Sequence, residues 1–198
     1  MTRIIQLISV MIILLTAMSA EAVTVELKLI PNPPPYPQQV VSLLKGLRAV
    51  RVLPFVDQRK AGENVFGELR YAGEFQKLMS SNPVADYVTA SFKKIHSEAG
   101  GKVSDNAPLL FKGEITQFYL DESDGGQARV GFHFYLGESS GKILWDGHST
   151  GIVKGGSRIL SPETASALIS DVLRATYLEL LEDDRLIKAW SASGAGSK

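Results

Sequence analysis

The stretch that decides the fold is PLLFKGEITQFYLDESDGGQARVGFHFYLGESSGKILWDGHSTGIV, Pro108 to Val153. Two glycine-containing breaks, Ser123-Asp124-Gly125-Gly126 and Glu138-Ser139-Ser140-Gly141, cut it into three runs rich in β-branched and aromatic residues. Such runs separated by short turns predict strands over Pro108–Glu122, Gln127–Gly137 and Lys142–Val153, joined as an antiparallel meander. In the middle run Ala128, Val130, Phe132, Phe134 and Leu136 alternate with Arg129, Gly131, His133 and Tyr135. Strand side chains alternate with period two, so one face is core and the other is at least partly wet. If Ser140-Gly141 is a two-residue turn, His133 lies opposite His148 on the wet face; a four-residue turn moves His148 opposite Gly131.

Outward from the meander the period changes. Upstream, Asn82 can cap and Pro83 suits a first helical position, and Val84, Val88, Phe92, Ile95 and Ala99 then recur at helical spacing until Gly100-Gly101. His96 falls beside that apolar stripe, as an edge residue. Downstream, Ser161-Pro162 opens a second helix that runs to about Asp183 through Ala165, Leu168, Ile169, Val172, Leu173, Thr176 and Leu180. Leu178 and Leu181 fall outside its stripe. Either Leu186, Ile187 and Trp190 fold back over them, or they form a subunit contact.

Further upstream, Ala49–Phe55 reads as the first strand, with Asp57-Gln58-Arg59 just past its end. Asp57 and Arg59 could grip a partner's backbone or cap a neighbouring helix within the fold. Between Lys60 and Ser81, Val65-Phe66, Leu69, Tyr71 and Phe75 suit a strand or an irregular crossover. Val23–Ile30 alternates like a short strand or extended arm, and Pro31–Pro37 forms a polyproline II spacer, because each ring fixes φ and removes a donor. That spacer is a stiff connector or a ligand for an aromatic groove. The expected architecture is thus α/β (α+β) in two layers, an antiparallel sheet of about four strands with two helices packed on one face. Residues 46–190 would be the domain, 23–45 an extended arm and Pro-rich linker, and 191–198 a disordered tail.

The chain begins Met1-Thr2-Arg3, continues through an apolar run from Ile4 to Leu15 and reaches small residues at Ala20-Glu21-Ala22. That is the layout of a signal peptide, residues 1–22, cleaved after Ala22; the run is shorter than the roughly 20 helical residues needed to span a bilayer. No transmembrane span is expected after cleavage. The 198 residues contain no cysteine, which removes disulfides, lipid attachment at a cleavage-site cysteine, thiol nucleophiles and thiolate metal sites. Lys and Arg number 21 and Asp and Glu 21, scattered along the chain, so nucleic acid is a poor partner.

No residue set points to catalysis. Ser140, Ser149 and Ser157 lack both a Gly-x-Ser-x-Gly elbow and an adjacent histidine. Gly125-Gly126 and Gly155-Gly156 lack the strand-to-helix context and lysine of a phosphate loop. Asp121, Glu122 and Asp124 cluster at a hairpin end without the spacing of a calcium loop, and two facing histidines are too few to ligate a metal. The sequence therefore assigns no catalytic residue, metal site or cofactor, and leaves Asp57, Arg59, Leu178 and Leu181 as candidate contact residues.

The order strand, crossover, helix, meander, helix resembles the YajG-type lipoprotein family of Gram-negative envelopes. The resemblance runs from about Val50 to Trp190 and rests on Val50-Arg51-Val52 leading to Asp57-Gln58-Arg59, the helix with Asp86–Phe92, Gln117-Phe118-Tyr119, and Ala167–Leu173 followed by Asp183–Ile187. It implies a small envelope α/β domain in an accessory or assembly role. The family's lipid-anchor cysteine has no counterpart at Ala22-Val23, so anchoring by lipid does not carry over. The expectation is a non-enzymatic, non-lipidated periplasmic protein that contacts an envelope protein or itself. The alternative is a periplasmic carrier of a lipid or polysaccharide fragment held between sheet and helices.

Overall fold

The computed structural model describes residues 22–30, 35–71, 74–121, 126–155 and 161–192. Its centre is the meander: β6 (Leu109–Asp121), β7 (Gln127–Glu138) and β8 (Ile143–Lys154), paired antiparallel. Around it stand β1 (Val23–Val25), β2 (Val50–Val52), β3 (Val56–Asp57), β4 (Val65–Tyr71) and β5 (Glu74–Ser80). The helices are α1 (Gln38–Gly46), α2 (Val84–Glu98), α3 (Pro162–Leu180) and α4 (Asp184–Ala192).

This corrects the expected four-stranded antiparallel sheet with two helices: the described residues form one mixed sheet of eight strands and four helices, still α+β. The strand order is β1-β5-β4-β6-β7-β8, with β2 and β3 also against β6. The physical reason is the length of β6. Its 13 residues offer one long edge, and β2, β3 and the start of β4 occupy successive parts of it, all parallel. Parallel pairing needs a long crossover, and the chain between β2 and β6 supplies one. Pro54 separates the first two short strands, since a ring without an N–H cannot continue a ladder. Leu53 N–H donates to Phe111 O (2.8 Å) and Gln58 N–H to Ile115 O (3.0 Å), bracketing β3 on that edge. The segment 60–81 is an antiparallel hairpin, β4–β5. At its contact with β6, Gly67 lies so close that a Cβ would meet Leu120 O at 2.3 Å.

Helix ends follow local chemistry. The Ser161 side chain accepts from Thr164 N–H (3.2 Å), with Pro162 as the first helical residue of α3. Gly100, at φ +98°, ends α2 with Gly101 N–H donating to His96 O and Gly100 N–H to Ser97 O, a Schellman motif. At the start of α2 the expectation shifts by one: Pro83 is itself the cap residue and no side chain caps the helix.

The core lies between the inner sheet face and the helices. Phe66, Phe92, Phe118, Phe132 and Phe134 are all but fully buried, each worth about 1.5–3 kcal/mol of transfer free energy. Glycines on the inner face admit neighbours: Phe55 covers Gly113, the Trp145 ring lies over Gly147, and Val172 and Thr176 of α3 press on Gly151. The N-terminal arm belongs to this core. Val25 and Leu27 are 3% and 8% exposed, and β1 pairs parallel with β5. Beyond β1, side chains of α3 hold the arm's backbone: Ile30 N–H donates to Ser170 Oγ (2.9 Å), Lys28 N–H to Ser166 Oγ (3.4 Å), and Arg174 Nη2 to Ile30 O. Residues 38–46, all but Gly46 within the expected linker, are α1, with Leu44 fully buried.

Candidate functional site

The outer face of β6–β8 carries the polar and aromatic residues that the alternation predicts. Pairing across the strands sets them in rows: Val56, Glu114, His133 and His148 in one, Lys112, Tyr135 and Asp146 beside it, and Tyr119, Arg129 and Ile152 further along. The turn after β7 gives His133 opposite His148, the register of the shorter turn, and a bulge between Leu136 and Gly137 absorbs the irregularity near the loop. The two imidazoles stack, centroids 3.9 Å apart at 20°.

His133 is the hub of this face. Its Nδ1 is 2.8 Å from Tyr135 Oη and its Nε2 is 3.2 Å from Asp146 Oδ2. With the proton on Nε2, the phenol donates to Nδ1 and Nε2–H donates to the carboxylate, so every donor is met. Glu114 Oε2 approaches Nδ1 to 3.9 Å, and Lys112 Nζ stands 4.4 Å from the Tyr135 ring centroid, a cation–π contact. Partial desolvation and the carboxylates of Glu114 and Asp146 push the Tyr135 phenol above its ordinary range. Burial, with Glu68 beside it, pushes Tyr119 up to about 12. Val56 and Ile152, 53% and 62% exposed, add apolar surface to the same face. The arrangement offers stacked rings, fixed hydrogen-bonding groups and charges of both signs on one surface, which suits contact with another macromolecule. Among the described residues no group of three or more His, Asp or Glu is placed to hold a metal ion. Glu122 and Asp124 lie outside them.

The four candidate contact residues fall elsewhere. Arg59 is 5% exposed at its side chain and Asp57 17%. Arg59 donates twice to the Asp57 carboxylate (Nε to Oδ1 2.8 Å, Nη2 to Oδ2 2.6 Å) and through Nη1 to Val65 O (2.6 Å) and Phe118 O (3.1 Å). The pair fastens β3 to β4 and β6 inside the fold. Burial pushes the Asp57 carboxyl up, but the Arg59 hydrogen bonds outweigh it and leave the group below its ordinary range. Leu178 and Leu181, 6% exposed in the latter case, line a groove of about 220 Å³ with Pro37, Val40, Leu43 and Glu182. Thus α1, which the sequence reading took as linker, flanks them.

His96 is 4% exposed and not at an edge. Its Nδ1 meets Tyr177 Oη at 2.6 Å, its ring stacks on Trp190 (5.5 Å, 11°), and Nε2 lies against the backbone of Gly101 and Lys102 without a well-aligned hydrogen bond. Burial pushes it down to about 4. Trp190 in turn donates Nε1–H to Arg48 O (3.0 Å), fastening α4 to the start of β2. Between them, Val50, Val52, Phe92, Phe111, Tyr177 and Leu180 enclose about 10 Å³ of free space, room for about one water.

Sequence reading reached His133 and His148, the latter through hairpin register. It missed Glu114, Asp146 and Tyr135 as their partners, although alternation puts them on the same face, and it missed Val56, whose place depends on the parallel pairing of β3.

No family model matches the chain, and no curated protein does. Among solved structures, the chain is similar to protein XCC0632 from Xanthomonas campestris, of the DUF330 family: 14% identity, 87% of this chain and 99% of that one, TM-score 0.57. It is similar to an uncharacterised protein at 12% identity over 68% and 91%, TM-score 0.50. The lipoprotein GNA1162 from Neisseria meningitidis superposes over 68% of this chain and 99% of its own at 12% identity, with a TM-score of 0.40 that carries no argument. At these identities the likeness is one of fold. The YajG-type resemblance in particular gains nothing from it.

Proposed function

We propose that the chain is a non-enzymatic accessory or assembly protein of the cell envelope that acts by contact with a protein partner or with a second copy of itself. The observation that carries this reading is the contrast between the two sides of the sheet. The helix side is closely packed, with about 10 Å³ free beneath α2–α4, about 90 Å³ where β1, β4 and β5 meet the start of α3, and about 220 Å³ in the open groove between α1 and the end of α3, while the outer side presents the ordered Glu114–His133–Tyr135–Asp146 surface flanked by Val56 and Ile152. A carrier of lipid or polysaccharide between sheet and helices needs a cavity of hundreds of cubic ångströms, roughly 300–1,000 Å³. The envelope location is supported by the leader layout of residues 1–22, and no helix among the described residues is long and apolar enough to cross a membrane.

Light scattering on the chain without its leader, at two protein concentrations, tests the reading together with organic extraction of the same sample. The expected result is an extract free of lipid. A strict monomer with extractable lipid would overturn it in favour of the carrier.

A further inference from the structure

We propose that two copies of this chain join through their β8 edges, antiparallel, with Thr150 on the twofold axis, so that the two sheets become one. The inference rests on the self-association branch of the proposed function and names its surface.

The outermost strand on this side of the sheet is β8, 12 residues long. Its register with β7 runs unbroken from Gln127–Lys154 to Leu136–Trp145, and just beyond it Gly155 N–H donates to Gly126 O (2.6 Å). In an antiparallel ladder bonded and non-bonded pairs alternate, so that one bond fixes the rest. Odd-numbered residues Trp145 to Val153 point their backbone groups at β7; Asp146, His148, Thr150, Ile152 and Lys154 point theirs away from it. Among the described residues nothing pairs with those outward groups. A long edge left open in this way is a template for another strand.

The occupant that fits is a second β8. A twofold through Thr150 sets even residues opposite even ones, the parity the outward groups require. It places Asp146 of each copy opposite Lys154 of the other, two ion pairs related by symmetry, with His148 opposite Ile152. All these side chains lie on the outer face, where Ile152 is 62% exposed. On the helix side the carboxylates nearest the junction already have partners: Glu179 accepts from Ser149 Oγ (3.2 Å) and Asp183 from Trp145 Nε1 (3.2 Å).

The test is sedimentation equilibrium of the chain without its leader, which should give twice the monomer mass. Thr150→Pro removes an outward N–H that bonds nothing among the described residues, and proline is tolerated on an edge strand in that orientation. It should yield a folded monomer, and Ile152→Pro, which removes the next outward donor, serves if the first variant fails to fold. Asp146→Lys and Lys154→Asp should each weaken the dimer about tenfold or more, and the double exchange should restore it. Because the chain has no cysteine, Thr150→Cys alone should cross-link to itself on oxidation. A dimer indifferent to both prolines, or a double exchange no tighter than either single one, overturns the β8 interface and leaves self-association standing. A lipid-free monomer overturns the interface and the self-association branch and leaves contact with a protein partner, whereas a lipid-bearing monomer overturns the proposed function as well.

Discussion

Burial holds the imidazole of His96 neutral down to about pH 4, because protonation would place a charge against Tyr177 and Trp190. The sign follows from linkage: the unfolded chain takes up this proton near its ordinary value of 6.5, the folded chain only near 4. Stability is therefore full above about 6.5 and declines as pH falls to about 4, by on the order of 3 kcal/mol from this group. Urea midpoints between pH 7 and 4 should show that decline, and His96→Gln should flatten it; an unchanged slope in the variant would place the titrating group elsewhere. Arg59 makes a second residue-scale prediction. Arg59→Ala leaves the Asp57 carboxylate inside the fold without its cation and should cost about 3–5 kcal/mol, read from the same titrations at pH 7, whereas an exposed contact residue would change stability by less than about 0.5 kcal/mol. Neither role was legible from the sequence. His96 sits beside the apolar stripe of α2, and only Trp190, arriving from 94 positions further along on α4, closes over it. Asp57 and Arg59 look like an exposed triplet until β4 packs beside β6 and surrounds them.

Among the elements, those defined by local period were legible: the three meander strands, α2 and α3 lie where alternation, 3.6-residue spacing and cap chemistry put them, to within a few residues. Elements that depend on a distant neighbour were legible only in part: Val23–Ile30 alternates like a short strand or extended arm, but nothing local says what it pairs with. The three residues of β1 form a strand because β5 lies alongside, and the arm past it stays extended because Ser166, Ser170 and Arg174 replace a strand partner. The nine residues of α1 follow a proline-rich segment whose composition overshadowed the helical spacing of Val40, Leu43 and Leu44. Treating the arm as core has a measurable consequence. Leu27→Ala should lower stability by about 2–4 kcal/mol through lost burial and an unfilled cavity, while Lys28→Ala, on the exposed side, should cost less than about 0.5 kcal/mol. Equal urea midpoints for the two variants would show that the arm is detached in solution.

At the scale of the whole molecule, the close packing of the helices on β6–β8 and the ordered outer face follow from one asymmetry: glycines at 113, 147 and 151 let rings and α3 approach the inner face closely, while the outer face keeps its polar rows. What the sequence determined by itself was what neighbours within a turn or a hairpin set: strand alternation, the meander and the bounds of α2 and α3 to within a few residues, because those depend on bond geometry and short-loop closure, while of the two hairpin registers it allowed the structure holds the one that faces His133 with His148. The tertiary structure decided which strands run parallel on the β6 edge, how the arm and α1 join the core, that His96 is inside it, and that the Arg59 side chain is covered by β4 and β6. Those outcomes rest on contacts between residues tens to over a hundred positions apart, for which a linear pattern carries no period.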